Sequence, residues 1–182
     1  MLIQMLIQQP QMIATVLKST PTWVWGLLAG LTALGLSQVR TRTASFTRIA
    51  ITPLAMLGLS LWGNISAFGN APDFGYVLGL WTGVLAVTVI AVMQLPVPAG
   101  TQYDDASRTF KLPGSWVPML LIAGIFLTKD VVGVDLAMQP SLALDSQYVL
   151  VVAGLYGIFS GIFAGRAARL WRLASRPSLA IA

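Results

Sequence analysis

Five stretches of the chain are apolar with almost no interruption: residues 23–39, 49–68, 74–95, 116–134 and 148–165. None alternates polar with apolar positions, so none reads as the half-buried strand of a sheet or barrel. Each is close to the roughly 20 residues a helix needs to cross a bilayer, and the first and fifth are the shortest at 17 and 18 residues. Inside hydrocarbon every backbone N–H and C=O must be satisfied within the protein, which leaves helices or closed barrels. The pattern therefore predicts an all-α fold, an integral membrane bundle of five transmembrane helices.

The polar connections carry charge unevenly. Arg40, Arg42 and Arg48 lie between the first and second runs, Arg108 and Lys111 between the third and fourth, and Arg166, Arg169, Arg172 and Arg176 after the fifth. Five spans put all nine of these cations on one side, and leave Lys18 with Asp73, Asp135 and Asp145 on the other. Basic loops stay cytoplasmic, which predicts the N-terminus outside and the C-terminus in the cytoplasm. Trp23, Trp25, Tyr76 and Tyr148 mark the outer boundary, and Trp116 and Trp171 the inner one. Tryptophan and tyrosine settle there because one end of each ring is polar.

Residues 1–20 hold two short apolar pieces separated by Pro10, with Gln4, Gln8 and Gln11 at helical spacing. They predict an amphipathic segment on the outer surface, with a sixth span as the alternative. The start has no positive charge and no small-residue cleavage site follows, so no cleavable signal is expected. The chain divides into this segment, a transmembrane domain over 21–166 and a basic cytoplasmic tail over 167–182. The long polar connection "AGTQYDDASRTFKLPGSW" reads as a short cytoplasmic hairpin with Tyr103 and Phe110 on one face, followed by Ser115 as the N-cap of the fourth helix. Asp104 and Asp105 fit turn chemistry better than a metal site.

Composition sharpens the membrane reading. Of 182 residues 56% are hydrophobic and 9% charged, against about 25% charged in ordinary soluble domains. There is no cysteine, histidine or glutamate. That removes disulfides, thiolate metal sites, the usual metal ligand and the usual proton shuttle, so no catalytic residue, metal site or cofactor is expected and the chain does not read as an enzyme. The net charge of +5 is not a nucleic-acid signature, because the cations flank the apolar runs; it predicts contact of Arg166, Arg169 and Arg172 with anionic headgroups of the bilayer.

Glycines recur four apart: Gly75, Gly79 and Gly83 in the third run, and Gly157, Gly161 and Gly165 in the fifth. Such faces let two helix backbones approach closely, either within the monomer or toward a second copy or another membrane protein. Pro53 and Pro118 read as first-turn residues of the second and fourth helices.

Within the fourth run stand Lys129 and Asp130. A charge near the bilayer centre costs about 2.5–3.5 kcal/mol on insertion scales, so compensation is expected. Asn64, on the second helix, heads the candidate partners, with Tyr76, Thr82, Asp73 and Asp145. The pair is either a clamp that fixes the fourth helix or a polar site for a proton, ion or solute.

The stretches "STPTWVWGLLAGL", "RTRTASFTRIAITPLAMLGLS" and "YDDASRTFKLPGSWVPMLLIAGIFLTKDVVGV" resemble an uncharacterised, domain-of-unknown-function family of small multispan proteins of the bacterial inner membrane. The resemblance implies a bacterial inner (plasma) membrane protein and supplies no substrate. An accessory, assembly or structural membrane component fits the small size, glycine faces and lack of reactive groups. The alternative is a small transporter or channel around Lys129 and Asp130, although no inverted repeat is visible.

Overall fold

The computed structural model describes residues 22–71 and 74–175. In chain order they form α1 (Thr22–Leu36), β1 (Arg42–Ser45), α2 (Phe46–Phe68), α3 (Phe74–Gln94), β2 (Gln102–Asp104), β3 (Thr109–Leu112), α4 (Val117–Met138), a 3-10 turn (Pro140–Leu144) and α5 (Ser146–Ala174). The segment 1–20, Asp73 and Arg176 lie outside the described residues. Four helices, α2 to α5, are long and apolar enough to cross a membrane. Over its described 15 residues, α1 spans about 22 Å, short of a hydrocarbon core of about 30 Å.

Local chemistry sets the helix ends. The Ser45 hydroxyl accepts the Arg48 N–H at 3.3 Å and starts α2 at Phe46, three residues before the apolar run begins. Pro53 is consequently inside α2 rather than in its first turn, where it leaves the Ile49 carbonyl without its helical donor. Pro118 does fall in the first turn of α4, but the N-cap is Trp116 rather than Ser115, whose Oγ accepts the Val117 N–H from one position further out at 3.3 Å. The Asp145 carboxylate accepts the Tyr148 N–H at 3.0 Å and caps α5. At 29 residues α5 extends about 43 Å and runs unbroken past Gly165 through Arg166, Arg169 and Arg172.

The bundle is built around α5. Half of its apolar window is buried, against 11% for α3. It packs along α3 and against α2, while α1 leans on α4. Its glycines account for the closeness to α3. A Cβ on Gly157 would stand 2.9 Å from the Trp81 carbonyl oxygen, one on Gly161 2.6 Å from Thr88 Cβ, and one on Gly165 2.8 Å from Val92 Cβ. The α3 glycines behave oppositely: a Cβ on Gly75, Gly79 or Gly83 meets nothing within 4 Å. One triplet is consumed by intramolecular packing, and the other faces outward.

At one end of the bundle a core of Phe68, Val77, Val132, Val149, Val152, Ala153 and Tyr156 closes the helices. At the other end a three-stranded antiparallel sheet, in the order β1-β3-β2, forms a cap. The predicted hairpin is present, with Tyr103 opposite Phe110 and their rings 4.6 Å apart. The third strand, β1, was not expected. It comes from the α1–α2 connection and sets Ala44 opposite Phe110. Ala44, Ile49, Phe110 and Ala167 bury together, joined by Leu170 and Trp171 of α5. Trp171 stacks on Phe46 at 6.0 Å, so much of its ring is taken up by the cap. Both long polar connections and the end of α5 therefore meet at one end of the bundle.

Candidate functional site

Two polar regions stand out, one within the spanning helices and one beneath the cap. The first holds the residues singled out in the sequence. Lys129 lies about 14 Å along α4 from its Met138 end, deeper than a span ending at residue 134 would put it. Its ammonium reaches toward α2: a Cβ on Gly63 would stand 3.6 Å from Lys129 Nζ and 3.2 Å from Tyr156 Cε2. The structure thus brings Lys129 to the turn of α2 that carries Asn64, but it does not pair them. Asn64 is fully buried; its Nδ2 donates to the Ser60 carbonyl at 3.1 Å, and its Oδ1 has no hydrogen-bond partner. Neither Lys129 nor Asp130 forms a hydrogen bond or ion pair among the described residues, so the expected bonded partner on another helix is not found there. Nearby, Trp81 Nε1 donates to Ser60 Oγ at 2.9 Å and Ser60 Oγ donates to the Tyr156 carbonyl at 3.4 Å, tying α3, α2 and α5 together.

The charge pattern of the sequence places Asp135 among the outer-side acids. It is 5% exposed and accepts the Tyr148 hydroxyl at 3.4 Å, which joins the far ends of α4 and α5.

The second region was not anticipated as a unit. The longer α5 carries Arg166, Arg169 and Arg172 into the cap. Arg172 Nη2 donates to the Met93 carbonyl and Arg169 Nη1 to the Pro96 carbonyl, both at 2.9 Å. These carbonyls stand at and beyond the end of α3, where helical partners run out and cations are favoured. Arg169 is 6% exposed, and its Nε has no partner.

Beside it lies a cavity of about 130 Å³ bordered by Gln38, Arg42, Thr101, Ser115, Arg166 and Arg169. Arg42 comes from β1, on the strand face that carries Ala44, and Gln38 Oε1 accepts its Nη2 at 2.8 Å. Burial, followed by the charge of Arg48, holds the Arg42 guanidinium below its ordinary pKa. Thr101 Oγ1 is buried without a partner. No carboxylate lines the cavity. Sequence order hides this arrangement, because its three arginines come from two segments more than a hundred positions apart.

The sheet's other face carries a wider groove of about 720 Å³ past Thr43, Gln102 and Lys111, but Asp104 also lines it, so its charge is mixed. The Asp104 carboxylate is used in the hairpin turn, accepting the Ser107 hydroxyl at 2.6 Å and the Ala106 N–H at 3.1 Å. Among the described residues no three acidic, histidine or cysteine side chains gather to hold a metal.

No curated protein and no solved structure matches the chain. Four apolar helices of spanning length, capped at one end by a small sheet, agree with the multispan family that the sequence resembles. The chain belongs to the family of unknown function DUF6622, whose family model matches residues 1–180.

Proposed function

We propose that the protein is an accessory or structural component of the bacterial inner membrane that assembles through α3, with α1 as a fifth span, the N-terminus outside and the cap in the cytoplasm. The observation that carries the assembly role is the outward glycine face of α3. Gly75, Gly79 and Gly83 are exposed and meet no side chain within 4 Å, although the matching triplet on α5 is fully packed. In lipid, small residues four apart let two helices approach and gain dispersion contacts without ordering large side chains. A second copy of this chain is the partner this face suits best, because a symmetric α3–α3 contact offers the same glycines from both sides. The orientation rests on the nine cations grouped by the polar connections and the tail. The absence of cysteine permits a clean test in membranes. Oxidation should cross-link Gly79→Cys into a covalent dimer and leave Leu59→Cys, on the exposed side of α2, monomeric. A monomeric Gly79→Cys protein, or equal cross-linking at both sites, would overturn the proposal.

One observation favours a second reading, a small transporter or channel around Lys129, Asp130 and Asn64. Asn64 Oδ1 is buried without a partner on the α2 turn that Lys129 approaches, and an unsatisfied acceptor at that depth is a place for a cation or proton donor. Ion or proton flux in liposomes that disappears in Asn64→Leu would establish this reading, and flux equal to empty liposomes would remove it.

A further inference from the structure

We infer that the cavity beneath the cap is a binding site for a phosphate group. Its recognition elements come from three parts of the chain: Arg42 on β1, Thr101 and Ser115 on the α3–α4 connection, and Arg166 and Arg169 on α5. Two of its lining residues carry a buried polar atom without a partner, Arg169 Nε and Thr101 Oγ1. Arg169 is 6% exposed, so open water does not solvate that N–H. A buried donor left unsatisfied costs about 1–3 kcal/mol, and more when it belongs to a charged group. Three guanidinium groups without a lining carboxylate also repel one another, and an anion relieves that repulsion.

The cavity size and donor geometry narrow the anion. A volume of about 130 Å³ has room for one tetrahedral oxyanion. Guanidinium groups bind phosphate oxygens through paired N–H donors. Arg42 is already oriented by Gln38, and Arg169 by the Pro96 carbonyl. Hydroxyls at Thr101 and Ser115 supply donors for the remaining oxygens. Leu112, Pro118 and Leu170 complete the walls and lower the local dielectric, which strengthens each charge-assisted bond. The same phosphate chemistry belongs to a lipid headgroup and to a free phosphate ion. A phosphate bound here would join the α1–α2 connection, the α3–α4 connection and the end of α5.

The test uses the full chain purified in an uncharged detergent and phosphate-free buffer. Thermal unfolding is followed against inorganic phosphate, with chloride at matched ionic strength as control, and against phosphatidylglycerol in mixed micelles, with phosphatidylcholine as control. A saturable rise in midpoint with inorganic phosphate and lipid alike assigns an accessible phosphate site; a rise with phosphatidylglycerol alone assigns a headgroup site. In either case Arg42→Gln should weaken apparent affinity at least tenfold. Arg42 makes its side-chain hydrogen bond only to Gln38 among the described residues, so this variant should fold. Thr101→Val is the second variant and should weaken affinity about three- to tenfold. No rise with either probe overturns the inference, as does an equal rise in wild type and both variants.

Discussion

Replacing Gly161 by alanine tests the α3–α5 contact directly, because a single methyl group meets both a side chain and backbone of α3. The new Cβ would stand 2.6 Å from Thr88 Cβ and 2.9 Å from the Leu85 carbonyl oxygen. Carbon atoms pack best about 3.5–4.0 Å apart, so α3 and α5 must separate by roughly 1 Å. A carbonyl in mid-helix cannot move alone, and the neighbouring Gly157 and Gly165 contacts would open with it. Overpacking of this kind costs about 1–3 kcal/mol, offset in part by alanine's better helix propensity, at most about 1 kcal/mol. Gly79→Ala is the control. Its Cβ meets nothing within 4 Å, so only the propensity gain applies. Thermal unfolding of both variants as detergent-solubilised monomers decides the matter. Gly161→Ala should lose about 1–2 kcal/mol, or several degrees by the scaling for domains of this size, and Gly79→Ala should stay level or rise. A Gly161→Ala protein at least as stable as the parent would refute the account of α3–α5 packing.

The remaining predictions concern the cap and the intramembrane charge. A Cβ on Gly114 would overlap the Val39 carbonyl oxygen, so Gly114→Ala should detach the α3–α4 connection from the α1–α2 connection, seen as faster exchange of the Ser115 N–H that now donates to the Gln38 carbonyl at 3.0 Å. Arg108 sits in the left-handed region at φ 49°, which costs a non-glycine residue about 1 kcal/mol, so Arg108→Gly should leave the protein equally or slightly more stable and Arg108→Val should lower its midpoint. Lys129→Met should insert and unfold at the parent's midpoint or above, because it removes an insertion cost of about 2.5–3.5 kcal/mol without breaking a bond among the described residues; a large loss would reveal a partner. The Ser107 hydroxyl holds the Asp104 carboxyl below its ordinary value of 3.8. The turn should therefore be fully stabilised above that value and loosen as pH falls through the lower folded value, read from Ala106 amide exchange, while Asp104→Asn should be insensitive over the same window.

What the sequence disclosed was local. Apolar run length located α2 to α5 within a few residues at most boundaries, and turn chemistry located the hairpin and the Tyr103–Phe110 pair. The departures have non-local causes. Residues 42–45, "RTAS", form a strand because β3 supplies a partner edge more than sixty positions later, and nothing in four residues announces that. Pro53 was misplaced because Ser45 starts α2 ahead of the apolar run. The two glycine triplets look alike as text, and only the docking of α5 on α3 separates the packed one from the open one. Arg169 reads as a tail cation, yet helix continuation past Gly165 turns it beneath the sheet. The basic cavity was invisible for the same reason, since the topology brings Arg42 to Arg166 and Arg169.

Both long polar connections and the end of α5 meet at one end of the bundle, and the proposed topology puts them on one side of the membrane, opposite the α4–α5 turn. Single cysteines placed at Ala106, Ser175 and Ser141 of this cysteine-free chain, probed with a membrane-impermeant maleimide before and after lysis, test it most directly. The Ala106→Cys and Ser175→Cys variants should label only after lysis, and Ser141→Cys should label in intact cells. Labelling of Ala106→Cys and Ser175→Cys from opposite sides, or of Ser141→Cys from the same side as both, would contradict it.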